Sequence, residues 1–273
     1  MPFDERTRIV IGDDGAARLA AASVCVYGLG GVGAAAAMDL VRVGVGRVVV
    51  VDFDAVQESN LNRLYFGYVD CVGQPKTRAF AEAARRVNPA VVVEEIGRLV
   101  RGREAADAIP DDCAFHLDCI DSLNPKVNLM AALLSRGLPF ASSMGTAGRI
   151  EPERLRLGSL WDSAGCPLAQ RVRQRLKRLG FGPPLNHADR HTEWLARIRG
   201  EAPAGPPVLR IAIPCVWSDE PPAPPAPPPD GARVGDVVNG NRVRAVQGSA
   251  PFVPQAAGHM LASVAARVIL GRA

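Results

Sequence analysis

Six cysteines stand singly at positions 25, 71, 113, 119, 166 and 215, and nowhere does the chain form a Cys-x-x-Cys pair. Structural zinc draws on such closely spaced thiolates, so this spacing argues against it. Histidine is scarce too, with 4 in 273 residues. His187 and His191 stand one helical turn apart, but no third ligand follows at a convincing spacing, and they read as an exposed pair rather than a metal site. No apolar run is long enough to span a bilayer. Residues 255–270 come nearest, but His259 and Arg267 interrupt them, which points to a helix packed on a sheet. No internal repeat and no signal-peptide pattern is evident, so the thiols are expected to be reduced and the protein cytoplasmic. Nor is one sign of charge in large excess: 32 basic against 28 acidic residues leave +4, so any strongly positive surface must be local.

What is present is a chain that is 48% hydrophobic, enough to bury a substantial core as one globular unit. Its densest signal lies in residues 27–63. The segment Ser23–Tyr27 reads as a strand, 34–43 as an Ala-rich helix, and Gly28-Leu29-Gly30-Gly31-Val32-Gly33 as the turn between them. Glycines there let backbone approach a phosphate, and the helix N-terminus stabilises its charge. A second strand, Arg47–Val51, ends in Asp52, whose carboxylate can accept hydrogen bonds from ribose hydroxyls. A nucleotide is implied, although the glycine pattern alone fits NAD or FAD as readily as ATP.

The charges downstream separate these. Arg63 closes Ser59-Asn60-Leu61-Asn62-Arg63, and Lys76 opens a helix after Gly73-Gln74-Pro75. A dinucleotide's pyrophosphate is satisfied by the helix end, whereas a reacting triphosphate needs added positive charge on its leaving group. A further strand, 113–117, runs into Asp118-Cys119-Ile120-Asp121-Ser122, where Asp121 is placed to hold Mg²⁺ against phosphate oxygens. Taken singly, Arg63 and Lys76 are also ordinary surface charges and Asp121 a helix cap.

These five motifs, GLGGVG, VDFD (Val51 to Asp54), SNLNR, GQPK and DCIDS, in that order, resemble the ubiquitin-activating-type (HesA/MoeB/ThiF) adenylating enzymes. The resemblance implies ATP-dependent adenylation of a carboxylate. It assigns Gly28, Gly30, Gly31, Gly33, Asp52, Asp54, Asn60, Arg63, Lys76 and Asp121 to ATP and its Mg²⁺, with Arg63, Lys76 and Asp121 catalytic. It also implies a homodimer in which an N-terminal arginine reaches the partner's triphosphate. Arg6 stands in the expected place, Arg8 competes for the role, and a solvated basic tail is the plain alternative.

The second half narrows the family. Residues 142–152, the segment opened by Cys166-Pro167-Leu168, and the stretches 214–221 and 247–254 are similar to the tRNA threonylcarbamoyladenosine dehydratase branch. Two features depart from that branch: Cys166, where an aspartate is expected before Pro-Leu, and the proline tract beyond Glu220. That branch implies adenylation of the threonylcarbamoyl carboxylate on a tRNA adenosine beside the anticodon, then ring closure. It leaves room for a sulfur-transfer partner protein. Independently, Arg171, Arg173, Arg175, Lys177 and Arg178 crowd one helix, a density suited to the phosphates of tRNA or to a solvated face. The rival is activation of the C-terminal glycine of a ubiquitin-like sulfur carrier, against which the missing zinc pairs speak. Cys215 lies near the substrate-side loops, where a thioester is conceivable, though ring closure does not require one.

The expected architecture is α/β: a Rossmann-like, mostly parallel sheet flanked by helices, with a C-terminal substrate-side extension. Residues 1–150 are expected to form the ATP-binding adenylation domain. Residues 151–273 continue it, with a basic helix over 166–180, a Pro-rich loop over 219–231 and a C-terminal helix over 255–270.

Overall fold

A computed structural model describes residues 3–98, 107–186, 208–228, 237–238, 241–242 and 245–272. His187, His191 and the last residues of the Pro-rich loop lie outside them. Helix α1 (Glu5–Ala21), broken at Gly12 with φ 77°, precedes strand β1 (Ser23–Tyr27). Then follow α2 (Gly31–Val43), β2 (Arg47–Val51), α3 (Lys76–Val87), β3 (Val92–Ile96), β4 (Phe115–Asp118), α4 (Leu123–Ser135) and β5 (Phe140–Ser143). The second half supplies β6 (Leu155–Ser159), α5 (Pro167–Arg178), the short pair β7 (Phe181–Gly182) and β8 (Leu209–Arg210), β9 (Pro214–Ser218) and α6 (Phe252–Ile269). The basic residues at positions 6 and 8 are thus helical, not part of an unstructured tail.

Seven strands form one sheet in the order β3-β2-β1-β4-β5-β9-β6, parallel throughout except that β6 runs antiparallel to β9. The parallel strands β1 and β2 are buried along almost their whole length, as their Val-rich runs require when helices cover both faces. On one face lie α2, α3 and α6; on the other, α4 and α5. The Ala34–Ala37 run is fully buried. A Cβ at Gly258 would stand 2.3 Å from the Val32 carbonyl, so that glycine lets α6 cross the start of α2 at close range. Helix α6 begins at Phe252 rather than 255, because Pro254 falls in the first turn, where a missing N–H breaks no helical hydrogen bond.

Strand order reverses at β1: β2 and β3 lie on one side of it, β4 and β5 on the other. In such a sheet the carboxyl ends of the strands flanking that reversal border a crevice where ligands bind. The glycine turn, Asp52 and the 118–122 loop all sit at that edge. Among the described residues no helix is long and apolar enough to cross a membrane.

Candidate functional site

Gly28 leaves β1 with φ 87°, donating its N–H to the Val51 carbonyl at 2.8 Å. A Cβ there would lie 3.2 Å from the Cys119 carbonyl, so the loop after β4 forms one wall of the turn. Gly33 is still more constrained: its Cβ would stand 1.8 Å from the Gly28 carbonyl oxygen. A Cβ on Gly30, by contrast, would meet nothing within 4 Å. Gly30 caps α2 without a side-chain hydrogen bond, so among the described residues no side chain satisfies the first-turn N–H groups. This is the geometry of an anion site at a helix N-terminus.

Asp52 closes β2 beside this turn. Its Oδ2 accepts the Leu29 N–H at 2.5 Å and its Oδ1 the Asp54 N–H at 2.8 Å. Each oxygen keeps a lone pair for a ribose hydroxyl. Burial raises its carboxyl above the usual range, and nearby Lys76 opposes that effect. Asp54 pairs with Lys76, Oδ2 to Nζ at 2.8 Å, so it aims the cation rather than facing a ligand alone. The Lys76 side chain is nearly buried while Asp54 is half exposed.

Arg63 lies across the turn: the position a Cβ would take on Gly31 is 3.3 Å from its Cγ and Cδ. Its Nη1 donates to the Ser59 carbonyl and to Asn62 Oδ1, both at 2.9 Å. Asn60 caps its own short turn, Oδ1 accepting the Gln57 N–H at 3.3 Å. Asp121 is exposed, and its Oδ1 accepts from Ser122 Oγ at 3.2 Å. The structure therefore gathers the glycines, Asp52, Asp54, Lys76 and Arg63 about one turn, with the loop carrying Asp121 walling it.

Beneath that loop is a constellation that motif reading missed. Asp118 Oδ2 accepts from Lys126 Nζ and from Ser142 Oγ, each at 2.6 Å, and Lys126 Nζ lies 3.1 Å from Ser142 Oγ. Both charged side chains are fully buried. The other Asp118 oxygen accepts the Ile120 N–H at 3.1 Å, which fastens the 118–122 loop. Only the packing of β4, α4 and β5 brings these three together.

On α5, Ala169, Val172 and Leu176 are buried. Arg171, Arg175, Lys177 and Arg178 are exposed, whereas Arg173 turns inward: its Nη1 donates to the carbonyls of Ser163 (2.6 Å) and Leu160 (3.3 Å) and to Ser163 Oγ. Arg173 thus clasps the 160–163 turn. At the other end of the chain, Arg8 pairs with Asp4 and Asp13, while Arg6 is exposed and pairs with no carboxylate among the described residues. Phe3, Ile9 and Val10 are exposed on the same segment, Ile9 at 81%.

All six cysteines are buried and unpaired. Cys215, mid-strand in β9, is fully buried, and desolvation pushes its thiol up to about 12. A thiol so placed is neither ionised nor reachable, which removes it as a nucleophile. Cys166 caps α5 without a side-chain bond and is buried. No cluster of three metal-ligating side chains occurs among the described residues.

A model of the ThiF family matches residues 5–151. Among curated proteins, the chain is similar to tRNA threonylcarbamoyladenosine dehydratase of Escherichia coli, 34% identical over 57% of this chain and 58% of that protein. It is also similar to the protein of the same name from Bacillus subtilis, 32% identical over 64% and 69%. The chain spans about three fifths to two thirds of the length of these relatives. Among solved structures, the E. coli tRNA N6-threonylcarbamoyladenosine dehydratase in complex with ATP aligns with a TM-score of 0.78 at 26% identity, covering 98% of this chain and 94% of that one.

Proposed function

Because the chain belongs to the ThiF family, we propose that it is an adenylate-forming enzyme that uses ATP to activate the carboxylate of N6-threonylcarbamoyladenosine in tRNA and close it to a ring. The observation that carries this is the convergence of Arg63, Lys76 and the Asp52 carboxylate on an uncapped, glycine-lined helix N-terminus. The likeness to an ATP-bound dehydratase supports the choice of nucleotide.

In this reading ATP lies with its phosphates on the Gly28–Gly33 turn and its ribose on Asp52. The threonylcarbamoyl carboxylate attacks the α-phosphorus, forming the acyl-adenylate and expelling pyrophosphate. Negative charge builds on the leaving group, where Arg63 and Lys76 stabilise it from fixed positions. The space over Gly30 and the single bond to Asp121 fit a Mg²⁺ held by that carboxylate with phosphate oxygens, a metal that would neutralise phosphate charge. A nitrogen or oxygen of the same substituent then attacks the activated carbonyl, and AMP leaves. One carboxylate oxygen departs with the phosphate, so the net change is loss of water. Both reacting groups belong to one substituent, so closure gains a high effective concentration and asks mainly for positioning.

The exposed cations of α5 are the proposed contacts to tRNA phosphates. A homodimer is proposed through α1, where exposed Ile9 and Val10 lie about one turn after Arg6, so that Arg6 of a partner subunit reaches the triphosphate. The unpaired thiols support a reducing, cytoplasmic setting. Pyrophosphate release measured with modified tRNA, unmodified tRNA and no tRNA tests the whole reading: stimulation by the modified tRNA alone is expected, and equal rates in all three would refute it.

A further inference from the structure

One exposed side chain ties Arg63 to the opposite half of the chain. Arg63 Nη1 donates to Asn62 Oδ1 at 2.9 Å, and Asn62 Nδ2 donates to the main-chain carbonyl of Ser249 at 2.7 Å. The partners fix which way the amide faces, because a guanidinium only donates and a carbonyl only accepts. Ser249 lies just before α6, in a segment stitched to the loop after β5. Gly148 N–H donates to the Gly248 carbonyl at 2.8 Å, and Ala223 N–H to the Gly148 carbonyl at 2.7 Å. Gln255 Nε2 adds a second tie, donating to the Arg63 carbonyl at 3.3 Å.

Resting on the nucleotide reading above, we infer that Asn62 is a positioning residue that couples the substrate-side segment 245–254 to the aim of Arg63. The amide satisfies both neighbours at once. If the segment shifts, Asn62 loses its anchor and its hold on Nη1 weakens, leaving the Ser59 carbonyl as the firmer acceptor, so the aim of the cation loosens when the segment is unseated. The remaining guanidinium nitrogens, Nε and Nη2, have no partner among the described residues and are left for phosphate oxygens. Coupling of this kind is reciprocal: a segment that steadies Arg63 must itself be steadied when ATP engages Arg63. Asn62 is exposed, so its replacement removes hydrogen bonds without opening the core.

Two substitutions separate its roles. Asn62→Ala removes both bonds, whereas Asn62→Asp keeps an acceptor for Arg63 and loses the donor to Ser249. The test is amide hydrogen exchange of segment 245–254 in the full chain, with and without saturating ATP, beside ATP affinity by calorimetry on the same samples. In the unsubstituted protein ATP slows exchange of the segment about threefold or more. In Asn62→Asp, ATP binds with affinity within about threefold of the original, yet the protection is gone. In Asn62→Ala, affinity falls about tenfold, the worth of one charge-assisted hydrogen bond, and protection is lost as well. Equal protection in Asn62→Asp, or none in unsubstituted protein that binds ATP, overturns the coupling. Undiminished affinity in Asn62→Ala overturns the positioning role. Unsubstituted protein that fails to bind ATP would remove the nucleotide reading itself, and the coupling with it.

Discussion

Lys76 Nζ lies 2.8 Å from Asp54 Oδ2, and the backbone joins the same two residues again, Lys76 N–H donating to the Asp54 carbonyl at 2.9 Å. The cation is therefore held at the first residue of α3 by the residue two beyond the proposed ribose acceptor. Replacing it with methionine keeps much of the side-chain volume and leaves Asp54 half in water, so the fold should persist. Pyrophosphate release should fall about 10²- to 10³-fold, the usual cost of removing one fixed donor to developing charge. A loss below about threefold would mean that Lys76 does not face the leaving group.

Gly33 and Gly30 make a matched pair of tests. Alanine at 33 would put its Cβ 1.8 Å from the Gly28 oxygen, so the turn must open; a loss of about 1–3 kcal/mol in stability and of ATP binding is expected. Alanine at 30 meets open space, so denaturant midpoints should stay near those of the original protein. ATP affinity should nevertheless drop in Gly30→Ala, because that empty volume is where phosphate is proposed to sit. Unchanged affinity would move the phosphates elsewhere.

The spacing of the glycines, Asp52, Arg63 and Lys76 was legible because the chain presents them as short motifs on consecutive strand ends and loops. Asp118, Lys126 and Ser142 were not, since the residues sit on three elements and only the packing of α4 on the paired strands β4 and β5 makes them neighbours. Arg173 looked equivalent to the other cations of α5. The helical phase of Ala169, Val172 and Leu176 places position 173 at the border of the buried stripe, a signal that the density of charge obscured. Helix α1 escaped notice because Gly12 breaks it and few of its residues are buried.

The tRNA assignment of α5 is tested by salt. Arg171→Ala with Arg175→Ala should weaken tRNA binding and reduce the slope of log affinity against log salt by about 1 to 2, with ATP affinity nearly unchanged. Arg173→Ala, by contrast, releases the 160–163 turn and should lower thermal stability. Equal losses of tRNA and ATP binding in the double variant would reject α5 as an RNA contact.

His116 is fully buried on β4, stacked on Tyr27, whose hydroxyl lies 3.0 Å from its Nδ1; Nε2 has no partner among the described residues. Burial lowers its pKa from 6.5 to about 4, so the folded state keeps the ring neutral. Between those values the unfolded chain binds the extra proton, and folding stability must fall as pH falls, by about 3 kcal/mol across the window. Urea midpoints from pH 7 to 4 should show this loss, and His116→Phe should flatten it. A profile equally steep in the variant would assign the loss to other groups.

Cys215→Ala should leave adenylation and turnover intact, since the thiol is buried and held protonated with a pKa pushed up to about 12. Native protein should also resist alkylation there until it is unfolded. Loss of turnover with retained pyrophosphate release would restore a covalent step.

The close crossing at Gly258 and Val32 has a consequence for synthesis. The alanine face of α2 folds early in the chain, yet the helix that shields it spans Phe252–Ile269. On the ribosome, the phosphate turn can form long before its roof exists, and nascent chains stalled ahead of position 252 would present an oily helix to any chaperone nearby.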